Sequence, residues 1–416
     1  MMLVLFTILA AAIGVQCKEY NGDQVYRLEV QTPNQIEYLQ NLENNGADFW
    51  TEIRLGTVDV RVESEGKALL EEEFQRLGIQ FSVMIKDLAG LVQESKSWFK
   101  KGDKTRTGAK HAMDWTSYHP VEDMHDFMDY LAATYDYVSV SSIGESYEGR
   151  EMRVLNVCKG GCGNKPAMWI DGGIHAREWV SPATVTYMMN ELIENDAEHP
   201  DLTENLDWYI LPSHNPDGYA YSIDNERLWR KTRAPNGNSC FGTDANRNWG
   251  FHWNEGGSSN DPCAETYMGK SAFSEIENQN VRDFVWERKD NIKFFNTIHS
   301  YSQYILLPWG WGYEQPDNYS ELEMLAFEAV AELTAVHGTR YTVGCIPCLL
   351  YVASGGSLDW ALGEAGIPYS YGMELRDTGN YGFLLPPNQI IPTGEETWAY
   401  HLTAARAILR EFGNKV

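Results

Sequence analysis

The chain has 416 residues, 43% of them hydrophobic and 22% charged, a composition that excludes wholesale disorder and gives room for about two or three domains. Lys and Arg number 33 against 59 Asp and Glu, a formal net charge of −26. Phosphate backbones repel such a surface, so no nucleic-acid partner is expected.

An uncharged apolar run extends from Met1 to about Val15, and the first charge is Lys18. The run is short for a membrane span and suits a secretory signal, although it lacks the usual basic start. Cleavage after Cys17, with Val15 meeting the small-residue rule, makes residues 1–17 the signal peptide. No later stretch approaches about 18 continuous apolar residues, so a soluble, secreted product with no membrane partner is expected.

Residues 24–88 read as a small unit. QVYRLEV alternates as a strand, and PNQIEYLQNLE carries Ile36, Leu39 and Leu42 at helical spacing until Asn44-Asn45-Gly46 breaks it. DFWTEIRL and VDVRVES form two strand-like runs around Gly56, KALLEEEFQRLG is an amphipathic helix stopped by Gly78, and IQFSVMI is a last strand. The order βαββαβ predicts a small α+β, ferredoxin-like domain. SKSWFKKGDKTRTGAK, residues 95–110, is basic and polar within an acidic chain. It reads as a linker that a trypsin-like protease can cut at Lys101, Lys104, Arg106 or Lys110, and equally as an ordinary interdomain connection.

Beyond residue 111 helices and buried strands alternate. MRVLNVC, AMWIDGGIH, LDWYILPSH, KFFNTIHS and IPYSYGMEL read as strands. DMHDFMDYLAATY, VRDFVWERKD, ELEMLAFEAVAELTAVHG and ETWAYHLTAARAILREFG read as helices, as does SPATVTYMMNELIEN, with Ser181 as its cap and Pro182 at its first position. This predicts one α/β domain with a central mixed, largely parallel sheet and helices on both faces.

Of seven cysteines, Cys17 leaves with the signal. The remaining six are Cys158, Cys162, Cys240, Cys263, Cys345 and Cys348, an even set suited to disulfides in an oxidising compartment. Four zinc thiolates from Cys158/Cys162 and Cys345/Cys348 are the less favoured alternative, and spacing alone does not fix the pairing. Asn318-Tyr319-Ser320 is a glycosylation sequon, used or unused.

The sharpest local feature is Ile174-His175-Ala176-Arg177-Glu178-Trp179, at the end of an apolar run. His175 and Glu178 can point at one cation, and His299 ends a second apolar run far along the chain. Two ligands on a short spacer plus a distant third, with a fourth position left to water, is the layout of a catalytic zinc site. Alone, His-x-x-Glu is a weak signal. Its surroundings strengthen it: HAREW, NPDGY at 215–219, RLWRKTR at 227–233, DANRNW at 244–249, HSYSQ at 299–303, YVASGGSLDW at 351–360 and ELRDTGNYGFLLP at 374–386. With these blocks in this order, residues 110–416 resemble the metallocarboxypeptidases of the pancreatic A/B type, and the N-terminal unit resembles their propeptide.

The resemblance implies a signal peptide (1–17), an activation propeptide (18–106) and a catalytic domain (107–416). It implies one zinc ion on His175, Glu178 and His299, the His₂Glu set for which carboxypeptidase A itself is a reference case. Asp244 would orient an imidazole from behind. Glu374 would act as general base on zinc-bound water and then protonate the leaving amine, and Arg230 would polarise the scissile carbonyl and stabilise the oxyanion. Asn246 and Arg247 would clamp the substrate's terminal carboxylate, for which a guanidinium fork is suited. Tyr351 would close over the terminal residue, with Arg177 and Tyr301 lining further subsites. Cys240 and Cys263 match a family disulfide, and Cys158/Cys162 and Cys345/Cys348 are then the remaining local pairs.

In the family, the residue before the Asp-Trp pair sets side-chain preference, acidic for basic side chains and apolar for apolar ones. Here it is Leu358, and Ile346, Leu350 and Gly310 match apolar or small pocket positions. An A-type preference for apolar and aromatic C-termini is therefore expected, since Lys or Arg against Leu358 would be buried without a partner. A B-type enzyme releasing Lys or Arg is the alternative, and a non-catalytic peptide-binding relative is a further one. The chain departs from the family pattern in three places. There is one extra residue between Trp360 and Glu374, Gly372 stands where a Thr is usual, and the pair Cys345/Cys348 surrounds Pro347. A monomer is the family expectation.

Overall fold

The protein is described by a computed structural model that covers residues 18–413 except 52, 101–110, 112 and 238. Residues 1–17, the expected signal segment, and the four candidate cleavage residues lie outside the described residues.

The N-terminal unit comprises β1 (Gln24–Val30), α1 (Pro33–Asn44), β2 (Gly56–Val62), α2 (Lys67–Leu77), β3 (Gln80–Ile85) and α3 (Leu88–Ser95). Its sheet has the order β2-β1-β3 and is antiparallel throughout. Thr32 and Gln35 form a reciprocal capping box that starts α1, and Gly78, with φ +68°, ends α2. Tyr26, Leu28, Val30, Val58, Val60 and Phe74 fill the core. The α+β plan is as expected, but with three strands. Among its described residues DFWTEIRL forms no strand, and Phe49 alone makes a bridge, to Val60. Trp50 N and Thr51 N both donate to Asp59 O (2.8 and 3.4 Å), which folds this stretch into a loop. Its buried Phe49, Trp50 and Ile53 face the second domain or the small unit's core, so the apolar alternation serves an interface as well as a sheet face. Asp87 Oδ1 accepts from Gly90 N (2.9 Å) and caps α3, a helix the sequence reading did not anticipate.

The second domain runs through α4 (Val121–Thr134), β4 (Val138–Glu145), β5 (Glu151–Val157), β6 (Ala167–Gly172), α5 (Val180–Glu194), α6 (Pro200–Asn205), β7 (Asp207–Leu211), α7 (Pro216–Asp224), β8 (Pro235–Gly237) and β9 (Cys240–Phe241). It continues through α8 (Ile276–Trp286), β10 (Ile292–Ser300), β11 (Tyr304–Leu307), α9 (Tyr319–His337), β12 (Thr342–Cys345), α10 (Ile346–Leu349), α11 (Ser357–Gly363), β13 (Tyr369–Leu375) and α12 (Ile390–Phe412). Eight strands form a mixed sheet in the order β12-β11-β13-β10-β6-β7-β5-β4. The four central strands β13, β10, β6 and β7 are parallel, while antiparallel pairing joins β11 to β13, β5 to β7 and β4 to β5. Every residue of β6 is buried, as a strand covered on both faces requires. Residues from α4, α5, α9 and α12 share one core, and Trp169, Phe284, Phe295 and Trp360 build a second.

Ser181 is not the cap of α5. The helix begins at Val180, and Ser181 Oγ accepts from Gly173 N (2.9 Å) and donates to Ile298 O (2.5 Å). This hydroxyl ties the ends of β6 and β10 together. Disulfides join Cys158 to Cys162, Cys240 to Cys263 and Cys345 to Cys348. Among the described residues no helix is long and apolar enough to cross a membrane.

Candidate active site

Ligands of open α/β sheets bind beyond the carboxyl ends of the strands, and here three such ends meet. β6 ends at Gly172, and Gly173 (φ +70°) turns the chain into the loop carrying His175 and Glu178. A side chain at Gly173 would meet Pro182 and the backbone of Pro212 and Ser213 at 3.3–3.4 Å. His299 lies near the end of β10, and Glu374, half-buried near the end of β13, is its register partner.

His175, Glu178 and His299 form a buried group that could hold a metal ion. His175 Nδ1 lies 2.8 Å from Glu178 Oε1, His299 Nδ1 lies 3.3 Å from Glu178 Oε2, and the two Nδ1 atoms are 3.2 Å apart. Donors about 2.0–2.1 Å from a tetrahedral zinc stand roughly 3.3 Å from one another, so the chemistry and close approach of this set suit zinc. His175 Nε2 is 3.0 Å from Asp244 Oδ1, and Ser300 N donates to Glu178 Oε2 (3.1 Å). Each contact orients a donor toward the common centre. Burial alone would raise the Glu178 pKa, but the two imidazoles outweigh it and hold it low, while burial lowers His299. Both directions give the metal-binding protonation state.

Arg230 directs Nε and Nη2 at Asp244 Oδ2 (3.2 and 2.9 Å) and stands 3.9 Å from Glu178. Burial opposes its charge, but Asp244 and Glu178 lift its pKa above the ordinary arginine value. Burial likewise opposes the Asp244 carboxylate, and Arg230 and then His175 hold it well below the usual range. Asn246 and Arg247 lie on the single turn Ala245–Arg247, started when Asp244 accepts from Asn246 N. Asn246 Oδ1 accepts from Ser357 N (3.0 Å), and Arg247 donates to Gly257 O, Asn246 O and the Tyr351 hydroxyl.

His175, Glu178, Arg230, Asn246, Arg247, His299, Ser300 and Tyr351 line one cleft together with Glu374. Away from the metal end its wall is apolar, with Leu306, Ile346, Leu350, Ala353, Leu358 and Gly372. A Cβ at Gly372 would stand 3.2 Å from Leu358 Cδ2, so glycine there keeps the cavity open. Gly310 sits one layer behind this wall: a Cβ there would meet Ile346 Cδ1 and Ala353 O at 2.9 Å. Asp359, next to Leu358, accepts from Gly310 N and Trp311 N, and burial pushes its pKa up to about 7.

The N-terminal unit occupies the two remaining expected subsite residues. Arg177 donates to Asp48 Oδ1 (2.9 Å) and Phe49 O (3.4 Å) and lies 4.1 Å from the Phe383 ring centroid. Tyr301 donates to Asp59 Oδ2 (2.9 Å); burial, then Asp59, hold its pKa well above the usual phenol value. Arg27 completes the contact, with two 2.7 Å bonds to Asp59 and one of 3.1 Å to Thr378 O. Trp50 enters the cleft, its ring 5.2 Å from that of Phe383. The sequence reading assigned no role to Asp48, Trp50, Asp59 or Phe383. Phe383 lies within the motif ELRDTGNYGFLLP, whereas the other three sit in strand-like runs that give no cue.

A buried His₂Glu centre at the ends of a mixed sheet, in a cleft plugged by the chain's own N-terminal unit, defines a metallohydrolase in precursor form. The chain matches the zinc carboxypeptidase family over residues 124–400 and the carboxypeptidase activation peptide family over residues 26–95. It belongs to the zinc carboxypeptidase family: it is a zymogen of a zinc-dependent metallocarboxypeptidase. It is 54% identical over 289 residues to carboxypeptidase B of Astacus astacus, covering 69% of this chain and 95% of that one. It is 41% identical over 413 residues to carboxypeptidase A1 of Sus scrofa, covering 96% and 97%. The crystal structure of carboxypeptidase A from Helicoverpa armigera superposes with a TM-score of 0.87 at 30% identity, covering 95% of this chain and 99% of that one.

Proposed function

We propose that this zymogen yields a secreted, monomeric A-type exopeptidase that releases apolar and aromatic C-terminal residues after a trypsin-like protease cuts the basic segment at Lys101, Lys104, Arg106 or Lys110. One observation carries the preference: beside Arg247 the cleft wall is built from Leu306, Ile346, Leu350 and Leu358. Among the described residues lining the cleft, the carboxylates are Glu178 and Glu374. Asp359, behind the wall, bonds backbone amides with both oxygens, so a Lys or Arg side chain would enter unpaired.

In this reading His175, Glu178 and His299 hold the zinc, which supplies Lewis acidity toward the attacking water and the scissile carbonyl. Arg247 and Asn246 grip the terminal carboxylate, which only a chain end presents, and Tyr351, already bonded to Arg247, closes over it. Glu374 takes the proton of the attacking water and returns it to the leaving amine. Arg230 offers its guanidinium to the developing oxyanion. Arg177 and Tyr301, released from Asp48 and Asp59, hold the preceding residues of the peptide.

The relative named carboxypeptidase B makes a B-type preference the reading to beat. A C-terminal residue scan on the trypsin-treated protein, with and without chelator, decides between them. Phe and Leu should be released fastest, Arg slowest, and chelation should abolish all release. Preferred release of Lys or Arg overturns the A-type assignment.

A further inference from the structure

The Cys345–Cys348 disulfide falls at a place the mechanism leaves unexplained. Cys345 ends β12, where it is paired with Leu307 of β11 and buried. Cys348 lies on the exposed side of the α10 turn. The bridge spans three positions and encloses Ile346 and Pro347, both buried. Ile346 lines the cleft and is backed by Gly310, while Leu350 and Tyr351 follow within the next five positions. Leu350 N donates to Ile346 O (2.7 Å), so the segment reaching the lid tyrosine hangs from this turn. Downstream, Ala353 N anchors on Gly310 O (2.7 Å).

A loop this short removes little conformational freedom from the unfolded chain, so its effect on global stability is small and its effect on the turn is local. Pro347 already fixes one φ angle. The bridge adds a covalent tie between the rigid sheet edge and the residue two positions before Leu350. An open turn of this size would let Ile346 and Leu350 move relative to Leu358.

We propose that the Cys345–Cys348 disulfide positions the side-chain pocket: it fixes Ile346 and Leu350 as a rigid wall and sets the approach of Tyr351. The clamp thereby determines how strongly large C-terminal side chains are selected over small ones. The proposal rests on the reading of this cleft as the C-terminal side-chain pocket. Because Cys348 is exposed, the clamp opens to a small dithiol. One thiolate attacks Cys348 Sγ, the Cys345 thiolate leaves and is protonated, and the second thiol resolves the mixed disulfide, giving two cysteines and the oxidised dithiol.

The test measures kcat and KM separately for blocked dipeptides ending in Phe, Leu, Ala and Arg. It compares trypsin-activated wild type with the double variant C345A/C348S. Selectivity ratios do not depend on the fraction of active enzyme, so a merely destabilised variant leaves them unchanged. The clamp predicts a Phe-to-Ala ratio of kcat/KM lower by about tenfold, carried by KM for Phe, with release of Ala little altered, since one displaced pocket contact is worth that much. An unchanged ratio overturns the clamp. If the variant does not fold, wild type reduced with dithiothreitol, with alkylation mapping confirming free Cys345 and Cys348, is scored on the same ratio. The wild-type arm stands apart: an Arg preference there overturns the apolar reading of the pocket, whatever the variant does.

Discussion

The two ends of the cleft are built by different physics. At the metal end each polar group is held by another: Asp244 orients His175 and Arg230 at once, Glu178 faces both imidazoles and Arg230, and Ser300 N holds Glu178. At the pocket end Leu306, Ile346, Leu350 and Leu358 are held by packing, and the space among them depends on a missing side chain at Gly372. The metal end therefore tolerates almost no change of residue type. The pocket end tolerates many, each altering what fits rather than whether reaction occurs.

Removing the proton acceptor should give the largest effect. Glu374→Gln should lower kcat by roughly 10²–10⁴-fold with zinc content unchanged; metal analysis beside turnover checks it, and normal turnover removes Glu374 from its role. At the other end, Leu358→Asp should shift the Arg-to-Phe ratio of kcat/KM toward Arg by about 10²-fold. A constant ratio would mean that Leu358 does not face the substrate side chain.

That contrast also separates what the sequence made legible. Ligand chemistry narrows residue type and spacing, so His175, Glu178 and His299 stood out, and the motif blocks pointed to Arg230, Asn246, Arg247 and Glu374. The central strands were visible as apolar runs because strands buried on both faces must be apolar. The plug was hidden for the opposite reason. Asp48, Phe49 and Trp50 read as an alternating strand, and only the contacts of Arg177 and Phe383 reveal that the alternation serves a neighbouring domain. Ser181 was misread because Ser-Pro suits a helix start, whereas its hydroxyl bonds two strand ends that are distant in sequence. Gly310 was grouped with the pocket by position, but it supports Ile346 from behind.

The plug gives a smaller effect. Asp48→Ala removes the carboxylate from a nearly buried Arg177 and should raise the activity of the uncleaved precursor toward a small substrate by about tenfold. The cleaved enzyme should be unaffected; an equally silent precursor would show that the contacts of Trp50, Phe49 and Asp59 close the cleft without Asp48.

The last effect touches stability and leaves turnover alone. Glu277, in the first turn of α8, is fully buried, and burial pushes its pKa from 4.5 up to about 7. Its folded form favours the proton, so its contribution is fully present below pH 4.5 and is lost as pH rises through about 7. Glu277→Gln should therefore gain stability over wild type between those values, on the order of 2 kcal/mol. Denaturant melts at pH 5 and pH 8 test this, and an equal difference at both would refute it.

His299 and Glu374 are register partners on adjacent parallel strands, so their Cβ atoms leave the same face of the sheet. The ladder, with neighbours about 4.8 Å apart, acts as a ruler between His299 of the candidate metal group and Glu374, the proposed proton carrier. Neither can be repositioned alone: a slip of one residue would turn either side chain to the opposite face. The working distance of this catalyst is thus written into its backbone pairing, and redesign of the chemistry has to begin from the strands.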